Sequence, residues 1–302
     1  MVKYVATMTK KSCLKMAAIV RDGTADDITK AVRRLANRTP WNPEKGKANQ
    51  WKWHLKRLAS WLENGSDPGD CPFEIFKEGN KKLSFLSFST LSTATCPGAG
   101  PCLTYCYSYR AWRYPAAFCR QIQNTILTRS RAGLLAIRAE LAKQVGKGHR
   151  KLRLYVDGDF ATKNDVRFWF STIKEMPTLL AYGYSKSWRL LTGYAGEYPT
   201  NYVLNISNGS RYEDDADLKA AVERLPITRG HFIGVELDGK YAKGFGRFDD
   251  AGMHREVREK LKERFPGQPV FSCTGKCGPC ASEQHACGSN KFDGVLIGIG
   301  IH

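Results

Sequence analysis

The chain has 302 residues, 42% of them apolar and 25% charged, which excludes disordered and collagen-like polymers and leaves room for one α/β barrel or two smaller domains. Its 47 Lys and Arg against 29 Asp and Glu give a net charge of +18, a self-repulsion that makes a polyanion, DNA or RNA, the expected partner. No apolar run reaches the roughly 20 residues of a membrane span, and the opening MVKYVATMTKKSC lacks the apolar stretch of a signal peptide, so no membrane and a cytoplasmic location are expected.

Residues 1–80 read as a helical, basic N-terminal region. Ile28, Ala31, Val32 and Leu35 recur at helical spacing behind Thr24 over Ala25–Asn37, and Trp51, Leu55, Leu58, Ala59 and Leu62 do so over Ala48–Leu62. NGSDPG at 64–69 is turn chemistry and marks a boundary. Beyond it, strands alternate with helices. KLSFLSFST is a predicted strand, 115–145 a long helix, KLRLYVDGDF a second strand and 164–176 a helix. TLLAYGYS and NYVLNIS are strands, 214–225 a helix, GHFIGVEL a strand, 254–265 a helix and FDGVLIGIGI a closing strand. This alternation predicts an α/β fold, a full or partial (β/α) barrel over 81–270, with an open doubly wound sheet as the alternative. Residues 271–302 form a cysteine-rich, metal-binding tail packed on that barrel.

Ten cysteines in a chain expected in a reducing compartment point to ligation rather than disulfides. Cys13 and Cys71 read as small buried residues. Cys96, Cys102 and Cys106 stand at C-x5-C-x3-C in a Gly/Pro loop between a predicted strand and a helix, where α/β folds place their chemistry. Three thiolates hold three irons of a [4Fe-4S] cluster and leave one open, whereas structural zinc takes four closed ligands. Cys119, 13 positions after Cys106, is the one candidate for closing that open position.

The loop TCPGAGPCLTYCYS, with Tyr105 before its last cysteine, resembles that of the radical S-adenosylmethionine enzymes, and its wording is closer still to the Gene Product 88 family of phage and plasmid proteins. The usual radical-enzyme spacing is C-x3-C-x2-C, so both gaps are longer here. In order of elements the resemblance extends over roughly 81–237. It implies an iron-sulfur cluster and S-adenosylmethionine as cofactors. It also implies that Gly158 and Asp159, ending the second strand, take the place of the Gly-Gly-Glu-like turn that holds the methionine amino group. A strand-end carboxylate is equally a turn or cap residue. Asn205 and Ser207 of NISNGS are candidate ribose partners, and Tyr105 a candidate packing residue beside the cofactor.

CTGKCGPCASEQHAC carries Cys273, Cys277, Cys280 and Cys287 at C-x3-C-x2-C-x6-C, with glycines and a proline that bend the chain around a centre. Spacing leaves zinc and a second iron-sulfur cluster both open. It also leaves open a swap, since the first three of these cysteines carry the radical-enzyme spacing. His285 reads as a loop histidine.

Between Tyr107 and Arg153, eleven Lys and Arg face a single acid, Glu140, for a local charge of +10. YCYSYRAWRYPAAFCR interleaves aromatics with Arg110, Arg113 and Arg120, and with Trp112 these are the candidate nucleic-acid-binding residues, rings stacking bases and guanidinium groups meeting phosphates. There is no Walker A loop, G-x-S-x-G elbow or H-E-x-x-H. GKYAKGFGRF reads as a flexible basic loop, and Asp249 and Asp250 as surface charges. Two functions follow as expectations: an iron-sulfur, radical-type enzyme acting on nucleic acid or a nucleoside-like substrate, or a non-catalytic DNA- or RNA-binding protein whose cysteine groups are structural.

Overall fold

The computed structural model describes residues 9–41, 43–44, 46, 50–78, 83–242, 250–277, 280 and 286–301. His285, Asp249 and most of GKYAKGFGRF lie outside them.

Three helices open the chain: α1 (Lys10–Asp22), α2 (Ala25–Arg38) and α3 (Trp51–Glu63). Thr24 and Asp27 start α2 with a capping box in which each side chain takes the other's backbone N–H. The α/β part then runs β1 (Leu86–Ser87), α4 (Ser108–Ala111), α5 (Pro115–Leu127), α6 (Arg131–Gly146), β2 (Lys151–Leu154), α7 (Lys163–Lys174) and β3 (Leu180–Ser185). It continues with α8 (Trp188–Thr192), β4 (Tyr202–Ser207), α9 (Ala216–Glu223), β5 (Thr228–Glu236), α10 (Gly239–Ala242), α11 (Ala251–Arg264), β6 (Val270–Ser272) and β7 (Leu296–Ile301).

Two expectations change. The helix predicted over 115–145 is two helices, because the Ser130 hydroxyl accepts the Gly133 N–H and caps a new start. The strand predicted at KLSFLSFST is reduced to Leu86–Ser87. Asp250 is not a loose surface charge: it caps α11, accepting from Gly252 N, Met253 N and the Tyr241 hydroxyl.

The seven strands form one parallel sheet in the order β1-β2-β3-β4-β5-β7-β6. With β1 and β6 at its two edges the sheet is not closed, so the barrel is partial. The cysteine-rich tail contributes β7 between β5 and β6, which makes its last strand internal to the sheet. Strand alternation divides the sheet into two faces. Leu152, Leu154, Ala181, Leu204 and Ile206 pack into the main core, which also takes in Val20, Ile28, Leu55 and Leu58 of the first three helices. Tyr182, Tyr184, Val203, Phe232 and Ile297 form a separate cluster with the tail cysteines.

Trp169 of α7 anchors the main core. It is fully buried, its ring meets Phe88 and Phe76 edge-on, and its indole N–H donates to the Tyr155 hydroxyl at 3.0 Å. Trp169→Ala removes ring and hydrogen bond together and is expected to cost about 3–5 kcal/mol in chemical denaturation; a loss under about 1 kcal/mol would remove Trp169 from this role.

Candidate metal and cofactor site

The first cysteine loop is stitched across the carboxyl ends of the strands. Thr90 N–H donates to the Asp157 carbonyl beyond β2 at 3.0 Å. Gly100 and Cys102 donate to the Gly209 carbonyl beyond β4 at 3.1 and 3.3 Å, and Arg211 N–H returns to Gly98 O at 3.0 Å. Gly98 is required for this approach, since a Cβ there would stand 1.8 Å from the Lys186 carbonyl. The loop sets Cys106 in the field of Cys102 and Cys96 in the field of Cys106. Burial raises the Cys96 and Cys106 thiols. Tyr105 packs its hydroxyl against Gly209 beside Cys102. Cys119 is elsewhere: it is buried in the helical core in the field of Cys13 and Arg57, so it does not close the loop's ligand set.

The two carboxylates of Asp157-Gly158-Asp159 divide their roles. Asp159 Oδ1 accepts from the Ser185 hydroxyl at 2.7 Å and Phe160 N–H at 2.8 Å, and Oδ2 accepts from Lys186 N–H at 2.8 Å. It pins the end of β2 to the end of β3. Gly158 makes the turn with φ +83°, where a Cβ would meet Thr90 Oγ1 at 2.0 Å, and its N–H is taken by Ser92. Asp157 is the freer group, and sequence reading passed it over. It is 6% exposed, its Oδ2 lies 3.4 Å from the Ser89 hydroxyl, and its Oδ1 has no hydrogen-bond partner among the described residues. Burial raises its carboxyl, opposed by Ser108 and Arg153. Tyr107, 54% exposed, lies in the field of Asp157, Arg153 and Cys106.

The other candidate cofactor residues are engaged. Asn205 donates to the carbonyls of Gly183 and Cys287 and accepts from Arg229, while Ser207 accepts from Lys186 Nζ at 2.7 Å. Lys186, just beyond β3, also acts on Cys96 through its charge.

The tail cysteines gather on the inner face. Cys273, Cys277, Cys280 and Cys287 lie in mutual electrostatic reach, in one packed cluster with Tyr182 and Tyr184. The Tyr184 hydroxyl donates to Cys287, and Arg153 Nη1 lies 4.0 Å from Cys277 Sγ. Burial pushes the Cys273 thiol up to about 12 and the Cys287 thiol up to about 11, so these are neutral thiols until a metal displaces their protons. Among the described residues, in the tail as in the first loop, no three His, Cys, Asp or Glu side chains are grouped closely enough to hold one metal ion.

The proposed nucleic-acid face changes composition. Trp112 is 2% exposed and donates its indole N–H to Gln121 at 2.9 Å, so it packs the core and offers no ring for stacking. Arg120 is desolvated, with its Nε buried and unpartnered. Arg113 is exposed and Arg110 half-buried, and Tyr114, at 67% exposure, supplies an accessible ring.

The division between the carboxylates is testable by thermal unfolding. Asp159→Asn should lower stability by about 2–3 kcal/mol, because it breaks charge-assisted bonds to buried donors. Asp157→Asn should leave stability unchanged or raised at neutral pH, since it removes a buried charge. The reverse order would refute the assignment.

Among the described residues no helix is long and apolar enough to cross a membrane. No curated protein and no solved structure matches the chain at a significant level. A family model described as Gene product 88 matches residues 53–283, which takes in the first cysteine loop, the carboxyl ends of β1 to β5 and three of the four tail cysteines. The chain belongs to the Gene product 88 family.

Proposed function

We propose that the chain is an iron-sulfur enzyme of radical S-adenosylmethionine type acting on nucleic acid or a nucleoside-like substrate. The observation that carries this reading is that one loop carrying three thiols crosses the carboxyl ends of parallel strands, beside a buried carboxylate oxygen with no hydrogen-bond partner among the described residues. Cys96, Cys102 and Cys106 would hold a [4Fe-4S] cluster and leave one iron open, because Cys119 lies in the helical core. The chemistry such a centre supplies when loaded is one-electron reduction of a bound sulfonium. Within the chain's own residues, Asp157 Oδ1 is available to accept from a ligand ammonium, in place of the occupied Asp159. Lys186, held on Ser207, offers a cation to a ligand carboxylate. Tyr105 and Tyr107 wall the loop. The tail cysteines would hold a second centre, a cluster or zinc.

Replacing Cys96, Cys102 and Cys106 with alanine is expected to remove one cluster's worth of iron and sulfide from anaerobically purified protein and to abolish conversion of S-adenosylmethionine to 5′-deoxyadenosine. Asp157→Asn should keep the iron and weaken S-adenosylmethionine binding about tenfold or more. Full iron in the triple variant, or no 5′-deoxyadenosine from the reduced wild type, would overturn the enzyme reading.

The basic, aromatic surface supports a second reading, a nucleic-acid-binding protein with structural metal sites. Arg113, Tyr114 and the exposed Arg131, Lys143, Lys147 and Arg150 carry it. Phosphate contacts release counterions, so affinity should fall steeply with salt, and Arg113→Gln should reduce the logarithmic slope by about one. Binding indifferent to salt would remove nucleic acid as the partner.

A further inference from the structure

Two guanidinium groups, one buried and one half-buried, flank the tail cysteines with no carboxylate partner within 4 Å among the described residues. Arg229 of β5 is 2% exposed. Its Nε donates to Asn205 Oδ1 at 2.7 Å, its Nη1 to the Phe292 and Val295 carbonyls at 2.9 Å each, and its Nη2 to the His231 carbonyl at 3.1 Å. Every acceptor is neutral. Arg153 of β2 lies 4.8 Å over the Tyr184 ring and 4.0 Å from Cys277 Sγ, with its Nε buried and unpartnered. Among the described residues neither arginine forms an ion pair within 4 Å. Asp157 and Asp293 act on them only from beyond that distance.

A buried cation with no counter-ion is strongly unfavourable, and hydrogen bonds to neutral oxygens only partly offset its lost hydration. Arg229 is such a cation, joined to Cys287 through Asn205, whose Nδ2 donates to the Cys287 carbonyl at 2.7 Å; Arg153, half-buried with an inaccessible Nε, lies on the same inner face against Cys277. Four thiolates around a divalent ion, or around a [4Fe-4S] cluster in its common oxidised state, carry two net negative charges. The two arginines equal that charge in number and oppose it in sign. We infer that Arg153 and Arg229 are the built-in counter-charge of a dianionic tetrathiolate centre held by Cys273, Cys277, Cys280 and Cys287, an inference that rests on the reading of the tail as a metal site. Asn205, a candidate ribose partner from sequence, is then a positioning residue that ties one counter-charge to the ligand turn.

The test uses the full chain and the metal it carries on purification. The Cys96, Cys102 and Cys106 triple alanine variant defines the tail's share of that metal, and competition with a chelator measures how tightly it is held. Arg153→Gln should release tail metal at about 10- to 100-fold lower chelator concentration, the usual cost of losing an outer-shell partner. Arg153→Lys, which keeps the charge, should stay within about threefold of wild type. A counter-charge also predicts a change of sign: Arg153→Gln should melt below wild type when loaded and at or above wild type when stripped of metal. Arg153→Met, which keeps the apolar stem, repeats the comparison if the glutamine variant does not fold. Unchanged chelator resistance in the neutral variants, or equal destabilisation of loaded and stripped protein, would overturn the counter-charge while leaving the tail site standing. No metal in the triple alanine variant would overturn the tail site itself, and the counter-charge with it.

Discussion

A parallel sheet has to be covered on both faces, and in this chain the two covers are of different kinds. One face is closed by amphipathic helices around Trp169 and the residues that pack with it. The other is closed by the chain's own cysteine-rich tail, packed on Tyr182, Tyr184, Val203 and Phe232. Because that tail also supplies β7, between β5 and β6, it cannot detach without opening the sheet. Any centre formed by its cysteines is therefore coupled to folding, and a metal bound there stabilises the fold by its own binding free energy.

The same requirement places the first cysteine loop. Strands β1 to β4 end at one rim, and the loop lies across that rim on backbone hydrogen bonds with Asp157, Gly209 and Arg211. Gly98 passes where no side chain fits, against the Lys186 carbonyl. Asp159 is part of this scaffold because three donors at the ends of β2 and β3 converge on it. Asp157, two residues earlier, meets the Ser89 hydroxyl only at Oδ2, at 3.4 Å, and its Oδ1 has no hydrogen-bond partner among the described residues. Rigid backbone around one unsatisfied carboxylate oxygen is a preorganised acceptor, poised for a cationic ligand group without reorganisation.

Much of this was legible in the sequence. Helical periodicity located α2, α3, α7, α9 and α11, each burying one face, and short apolar runs bounded by turns located β2 to β5, within a few residues. The cysteine loop was legible because glycine, proline and thiols cluster between a strand and a helix. What was hidden depends on contacts distant in sequence. Nothing local tells that β7 inserts beside β5, or that Asp157 rather than Asp159 keeps a free oxygen. Trp112 and Arg120 read as surface because their neighbours are basic, yet α5 turns one inward onto Gln121 and desolvates the other. Arg153 was hidden in the same way: counted with the basic stretch, it points to the interior of the sheet.

Arg153 also connects the two cysteine groups. Its guanidinium lies against Cys277 of the tail and in the field of the Tyr107 hydroxyl and the Asp157 carboxylate beneath the first loop. A charge shared between two centres makes them electrostatically dependent: adding an electron to either one increases its pull on the same cation and changes how much of that field the other feels. Low dielectric around the aromatic cluster keeps this coupling from being screened as it would be in water. Were both cysteine groups to hold a centre, the inner face would link the two through one half-buried cation, whose neutralisation should then be felt at both.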